Sequence, residues 1–549
     1  MENMSTSRCF WETTLPRTPV DLPLSVDREA ATPLSVQLGD RLRAAMRDGT
    51  LASGERLPST RALARRLAVS RTVVTEAYGQ LYAEGWLDGR HGSGTYVADL
   101  AGPALPGGSV LPAFPRASTL PGASALPVPC AAALPAPVRE ARRAHRDRSP
   151  AAGAAGAQVD LRPGRPWVRD YDEAAWRRAW RAAAGLPPGD DPDPYGLPRL
   201  REALAGHLRR VRAVAVGPEH VMVTRGTGNG LDLVAATFLR PGDRAGVEEP
   251  GYRVARNVFA ARGAEVVPCP VDTDGVVVHG LPDDLRVLYT TPAHQYPLGG
   301  RLPVPRRERL IAWARRTGAL VVEDDYDAEF RYDVAPLPAL HGLDPGRVIL
   351  LGTLSKSLAP DVGVGWLVAS PHLLAAVAGT RDDLADRTGG PVQQAVAVLL
   401  ERGDLDRHLR RMRLEYARRR AVVVDLLGSR VTGDTAGLHV MVELPRHTVG
   451  PLVEAAAARG VLLETADRHH HGVPARHGLV IGYGSASLAE VRRGVSVVAE
   501  LVERFGVRAA EGPGEDLRPP AGRGGRRAGR RAARAVPTTA PPQAPARDR

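Results

Sequence analysis

One basic residue type is almost missing from this chain, and its single occurrence sits where chemistry can use it. Of the 73 lysines and arginines all but one are arginine, and the exception is Lys356. A guanidinium stays charged, so it replaces lysine wherever a positive charge or a long stem is enough. It cannot replace a primary amine that must lose its proton and attack a carbonyl. Schiff-base formation is the commonest chemistry with that requirement. Chance survival of a surface lysine is the plain alternative until the neighbours are read.

Those neighbours run "VILLGTLSKSLAPDVGVGWLV", a strand that delivers the lysine and a loop that returns through a second strand. Upstream, "ALVVEDDYDAEFRY" is an apolar strand ending in carboxylates and a tyrosine. A pyridoxal site needs a carboxylate for the protonated ring nitrogen, a phenol for the ring oxygen and an amine for the imine. Asp324 and Tyr326 at a strand's carboxyl end suit the first two roles, because ligands of open α/β sheets bind there. "VTRGTGNGLDLVAATFL" reads as strand, glycine-rich turn and helix, and places Gly226, Thr227 and Gly228 where backbone amides suit a phosphate. Tyr252, in "VEEPGYRVARNVF", is positioned either to stack on a ring or to fill the core, and "YTTPAHQYPLGG" puts His294 and Gln295 in another strand-end loop. The acids by themselves also fit a metal, but no histidine accompanies them in the sequence, so no metal site is expected. The run "RHHH" at 468–471 reads as an incidental loop cluster.

The elements that must position these residues divide the chain. At 549 residues it is too long for one core. Residues 1–30 read as irregular, and residues 31–99 as a compact periodic domain. Residues 100–157, rich in Ala, Pro and Gly, read as a linker whose last part, "REARRAHRDR", is charged. Over 158–507 short β-branched runs alternate with helical stretches, which predicts an α/β domain on a mostly parallel sheet. Residues 508–549 form a basic tail of disordered composition. Cys9, Cys130 and Cys269 lie far apart and predict reduced thiols. No signal-peptide pattern and no apolar run of membrane-spanning length is present. A cytoplasmic protein with no membrane partner is therefore expected, and the net charge of +12 suits a polyanion.

In the first domain Leu34, Leu38, Leu42 and Met46 mark the apolar stripe of a helix ending near Gly49. Ser59 is a plausible cap for a second helix with Leu63, Ala64 and Leu67 inward. Ser70 caps a third, with Val74, Ala77, Tyr78 and Leu81 inward. "AVS" between them is a tight turn, and "WLDGRHGSGTYVAD" reads as a hairpin with a glycine-rich tip. "LPSTRALA", "VSRTVVTEAY", "AEGWL" and "HGSGTYV" closely resemble a GntR-type winged helix-turn-helix, an α+β DNA-binding domain. The resemblance implies that Arg61 meets backbone phosphate and that Ser70, Arg71, Thr72 and Thr75 face the major groove. His91 and Gly92 would then approach the minor groove.

The order "DPYGLPRLREAL", "EEPGY", "TPAHQYPLG", "EDDYDAEF" and "GTLSKSLAP" resembles fold-type I aminotransferases, and most of all the MocR subfamily of GntR regulators. The resemblance implies that pyridoxal 5'-phosphate is carried on Lys356 as a Schiff base, with Asp324 on the ring nitrogen and Tyr326 on the ring oxygen. Tyr252 would stack, His294 would complete the ring's surroundings, and Gly226, Thr227, Gly228, Thr353 and Ser355 would surround the phosphate. It also implies a homodimeric transcription factor on double-stranded DNA half-sites, answering to pyridoxal phosphate or to an amino compound. A working aminotransferase carrying a DNA-binding appendage is the alternative. Three positions depart from the pattern. Gly363 stands where the family commonly has a phosphate-binding arginine, with Arg225 a candidate substitute. Asp191 stands where a tyrosine is usual, with Tyr195 displaced beside Gly196. Near the C-terminus the strand "GLVIGYG" carries no arginine for a substrate carboxylate, and Arg476 is the nearest.

Overall fold

The computed structural model describes residues 26–28, 33–47, 50–90, 94–98 and 158–510, apart from 188, 213, 328 and 333–337. The expected linker and most of the expected N-terminal and basic tail segments lie outside these residues.

The first domain is built on α1 (Leu34–Arg47), β1 (Arg56–Leu57), α2 (Thr60–Arg66), α3 (Arg71–Ala83), β2 (Leu87–Arg90) and β3 (Gly94–Val97). Leu38, Leu42 and Met46 of α1 pack with Leu63 of α2 and Val74, Ala77, Tyr78 and Leu81 of α3 around Trp86. Ser59 and Ser70 cap α2 and α3 by accepting from the amides of Ala62 and Val73. The turn between the helices is tight enough to hold Ala68 at φ +53, in the left-handed region. The hairpin of β2 and β3 gains a third strand that the sequence pattern did not announce, since β1 pairs antiparallel with β3.

The large sheet comprises β4 (Val221–Thr224), β5 (Arg244–Glu249), β6 (Glu265–Asp272), β7 (Gly275–Val276), β8 (Leu285–Thr290), β9 (Leu320–Asp325), β10 (Val348–Thr353) and β11 (Gly365–Val368). Their order is β4-β11-β10-β9-β8-β5-β6-β7. From β10 to β6 every pairing is parallel, whereas β11 runs antiparallel to both β10 and β4. Side chains alternate between two covered faces, as strand geometry demands. Val322, Ile349 and Leu351 pack on one side with Leu231 and Val234 of α4 (Thr227–Phe238), while Val321 and Val348 pack on the other with Leu310 and Ile311 of α5 (Val304–Thr317). Burial on both faces explains why β4, β9, β10 and β11 are inaccessible along their whole length.

Beyond the sheet, strands 431–432, 439–443, 478–482 and 464–465 form a smaller antiparallel sheet. Helices Arg446–Ala458 and Leu488–Ala510 pack with it. No helix among the described residues is long and apolar enough to cross a membrane.

Candidate functional site

Parallel strands end on the same edge of the sheet, and there β8, β9 and β10 deliver Tyr289, Asp324 and Thr353 to one pocket of about 200 Å³. Asp324 is buried. The Tyr289 hydroxyl donates to its Oδ2 at 2.7 Å, and the Thr227 hydroxyl lies 3.5 Å from its Oδ1. Burial disfavours its charged form and pushes its pKa up to about 7, against the pull of the Tyr289 bond and the Lys356 charge. Lys356 lies in the same pocket, with Nζ donating to the Gly164 carbonyl at 2.6 Å. Its burial disfavours the ammonium and lowers its pKa, while Asp327 and Asp324 oppose that shift. The amine is therefore held nearer its nucleophilic, neutral form than a surface lysine.

Tyr326 and His294 form a tied pair. The Tyr326 hydroxyl is 3.0 Å from both the carbonyl oxygen and Nδ1 of His294, and that nitrogen is also 3.0 Å from Asp327 Oδ2. With the imidazole proton on Nδ1 toward the carboxylate, the phenol donates to the carbonyl. Tyr252 lies across the pocket, its ring roughly stacked with that of Tyr289 at 6.3 Å.

The other end of the pocket is built by backbone and small side chains. Gly226 takes φ +95 to open α4, and its neighbours are the Thr353 and Ser355 hydroxyls, themselves 2.9 Å apart. Any Cβ on Gly365 would meet the Gly226 Cα at 2.6 Å, so two glycine backbones pass in contact. The amides that open α4 face this end of the pocket, as a helix N-terminus presents them to an anion. Arg225 also lines it, but its side chain is half exposed and ion-paired with Asp386, which accepts from Asn229 as well.

Two family profiles divide the chain along the same lines: "Bacterial regulatory proteins, gntR family" matches residues 34–97, and "Aminotransferase class I and II" matches residues 174–473. The "HTH-type pyridoxine biosynthesis transcriptional regulator PdxR" of Corynebacterium glutamicum is 36% identical over 88% of this chain and 99% of its own length. The chain belongs to the MocR-type GntR regulators. The "Probable rhizopine catabolism regulatory protein MocR" of Rhizobium meliloti is 33% identical over 86% of this chain and 94% of its own. Among solved structures, an archaeal alanine:glyoxylate aminotransferase superposes with a TM-score of 0.59 at 25% identity, covering 67% of this chain and 94% of the other. LysN, the α-aminoadipate aminotransferase of Thermus thermophilus, complexed with N-(5'-phosphopyridoxyl)-L-leucine, gives 0.58 at 26%, covering 64% and 93%.

In this MocR-type regulator the pocket gathers Lys356, Asp324, Tyr326, Tyr252, Gly226, Thr227, Gly228, Thr353 and Ser355. His294 does not line it. It stands behind Tyr326, because the loop carrying it turns its ring toward Asp327 and His439, whose ring centroid is 4.7 Å away. Arg476 is also elsewhere, bonded to Glu443 at 2.6 Å. The "RHHH" run is not incidental to the architecture. The His469 ring packs edge-on against pocket residue Tyr296 at 4.9 Å, and the His469 carbonyl accepts from Gly251. Asp191 and Tyr195 face a different cavity or the core: Asp191 lines a surface cleft with Gly390 and Gln394, and Tyr195 packs beside Arg201. At Gly363 the backbone is left-handed, φ +59 and ψ +37, a conformation that an arginine adopts only with strain.

Sequence reasoning passed over Tyr289, Asp327, Tyr296, His439 and Gly164. Tyr289 carried a usable signal, since a tyrosine inside the apolar run "VLYT" needs a partner for its hydroxyl. Asp327 lies one residue beyond the tyrosine already singled out. On the first domain Arg61, Ser70, Arg71, Thr72 and Thr75 are all exposed. Ser70 is engaged as the α3 cap, and the Thr75 hydroxyl donates to the Arg71 carbonyl at 2.9 Å. Arg71 Nε lies 3.4 Å from the Thr60 hydroxyl, which leaves its guanidinium largely uncommitted. His91 and Gly92 lie outside the described residues.

Proposed function

We propose that this regulator holds pyridoxal 5'-phosphate covalently through Lys356 and that its occupancy changes how a homodimer sits on paired DNA half-sites in the cytoplasm. The observation that carries this reading is the joint placement of Lys356, Asp324 and Tyr326 in one pocket. The donor set fits the group. A buried carboxylate raised to about 7 is stabilised as the anion by a pyridinium, and an amine with a lowered pKa suits an aldehyde. When bound, the cofactor supplies that aldehyde and an electron-withdrawing ring. Lys356 would hold it through its amine, Asp324 would pair with the ring nitrogen, and Tyr326 would turn its hydroxyl to the ring oxygen. Tyr252 covers one face of the ring. The amides of Thr227 and Gly228, the hydroxyls of Thr353 and Ser355, and the Arg225 guanidinium hold the phosphate. Among the residues lining the pocket Arg225 brings the one guanidinium. Because Gly365 pairs with Thr224, residues 225–226 and 363–364 leave the sheet side by side. Arg225, just after the strand paired with the one that Gly363 precedes, would meet the phosphate from beside that position.

Two effectors suit the pocket, the vitamer itself and a small amine displacing Lys356. With Arg476 tied to Glu443, and no arginine but Arg225 on the lining, the pocket offers little grip for an amino-acid carboxylate, which favours the vitamer. On DNA, Arg71 and Thr72 at the start of α3 would face the major groove, with Arg61 on backbone phosphate and Ser70 and Thr75 beside them. Purified protein titrated with pyridoxal phosphate is expected to develop a visible band that borohydride reduction bleaches, leaving the cofactor attached to the chain, and that Lys356→Ala abolishes. It is also expected to change affinity for a DNA fragment selected from a random pool. No band, or a band unaffected by Lys356→Ala, defeats the reading. Catalytic conversion of added amino acids to keto acids would make the chain an aminotransferase instead.

A further inference from the structure

The loop that carries pocket residues Thr291 and Tyr296 leads into one helix turn, the first turn of α5, and the DNA-binding domain meets the large domain there. The Val304 amide donates to the Glu84 carbonyl at 2.8 Å, and the Val304 side chain packs on the winged-helix core. Glu84 is the residue that ends α3. Its buried carboxylate is gripped by both arms of Arg43, at 2.5 and 2.6 Å, and by Gln80 at 2.8 Å. The next residue, Gly85, has φ +76, and a Cβ there would stand 2.6 Å from the Pro303 Cβ. Arg47 at the end of α1 reaches Glu308 at 3.6 Å, one turn further along α5.

The same turn of α5 also closes the pocket loop. Arg307, three residues after Val304 and buried, donates to the carbonyls of Leu302, Pro292 and Pro338 at 2.7, 3.0 and 2.6 Å. The Leu302 amide returns to Pro292 at 2.9 Å. The 291–303 loop enclosed in this way carries pocket residues Thr291 and Tyr296 and the Tyr326 partner His294. Its start is anchored, with Thr291 bonding buried Glu248 through both its amide and its hydroxyl. A loop bonded at both ends and across its base thus runs from the pocket wall to the helix turn that meets the end of α3.

We propose that the first turn of α5, Val304 to Glu308, is the docking surface for this chain's own winged-helix domain. Through it, rearrangement of the 291–303 loop on occupancy of the pocket reaches α3. The surface holds α3 by its C-terminal end and leaves Ser70, Arg71 and Thr72 at the opposite end exposed. This inference rests on the proposed pyridoxal-phosphate reading.

The test compares full-length wild type with Val304→Asp, which sets a carboxylate against the winged-helix core while remaining compatible with a helix N-terminus. Pyridoxal phosphate is titrated by absorbance, and affinity for the selected DNA fragment is measured with and without it. Wild type is expected to show a ratio of affinities of roughly fivefold or more, as allosteric couplings do. Val304→Asp is expected to keep its titration midpoint while that ratio falls to within about twofold of one. If Val304→Asp fails to take up the cofactor, the decision passes to Glu308→Arg, an exposed change expected to lower the ratio and to be rescued by Arg47→Glu. Variants that keep the wild-type ratio overturn the docking surface and leave the proposed function standing. A wild type that takes up the cofactor and binds DNA with no mutual effect overturns it together with the regulatory half of the proposed function. A wild type that takes up no cofactor defeats the proposed function itself.

Discussion

The two ends of the pocket are built on different principles. At the ring end charged and phenolic groups are buried and bonded several times over: Asp324 to Tyr289, Tyr326 to His294, His294 to Asp327. At the phosphate end the work falls to backbone, two hydroxyls and a half-exposed guanidinium already paired with Asp386. A buried charge is strongly destabilised when its partner is removed, whereas an exposed ion pair contributes little. On the proposed reading, ring recognition would be stringent and phosphate recognition adjustable, a division that suits reversible sensing more than permanent retention.

The largest expected effect comes from breaking the stringent end. Asp324→Asn should weaken uptake of pyridoxal phosphate by about 3–5 kcal/mol, the range for removing one partner of a buried ion pair. Absorbance titration measures it, and a loss below about tenfold would contradict the ring-end assignment. A smaller effect follows from pH in protein freed of cofactor by hydroxylamine and dialysis. Folded Asp324 keeps its proton up to about pH 7, while the unfolded residue loses it near 3.8. Between those values the folded state binds the extra proton, so this group's contribution to stability falls as pH rises and levels off above 7. The stability difference between wild type and Asp324→Asn, from denaturant curves, should therefore decline by a few kcal/mol from pH 4 to 7. A flat difference would show that the carboxyl is ionised in the folded protein. The smallest effect tests the adjustable end. Arg225→Ala should weaken pyridoxal phosphate by about 1 kcal/mol, since half its charge-assisted bonding is exposed. Unphosphorylated pyridoxal should be unaffected. Equal losses for both ligands would remove Arg225 from the phosphate.

Much of this site was legible because its parts end consecutive parallel strands. Lys356, Asp324 and Tyr326 each lie within about five residues of the end of an apolar run, and parallel strands in one sheet put such ends together. The glycine turn at 226–228 was legible for a similar reason, as strand, turn and helix are written in order. His294 was misplaced by the same logic. It too follows a strand, but its loop folds back on itself through the bond of the Gln295 amide to the Gly300 carbonyl at 2.6 Å, and the ring is carried behind Tyr326. Gly164, Asp386 and His439 were out of reach. Each meets the site from a remote part of the chain, Gly164 from 192 residues before Lys356 and Asp386 from 161 residues after Arg225.

The sequence by itself determined the two-domain organisation, the placement of the candidate chemistry near strand ends and the identity of the one amine. Local patterns of burial, capping and strand ends are all that those conclusions require. Tertiary structure alone decided which charges are buried together, and so the raised Asp324 and the lowered Lys356. It also decided that α3 ends against the helix that closes the pocket loop. Desolvation and contact depend on what the whole fold packs around a group, and no spacing along the chain encodes that.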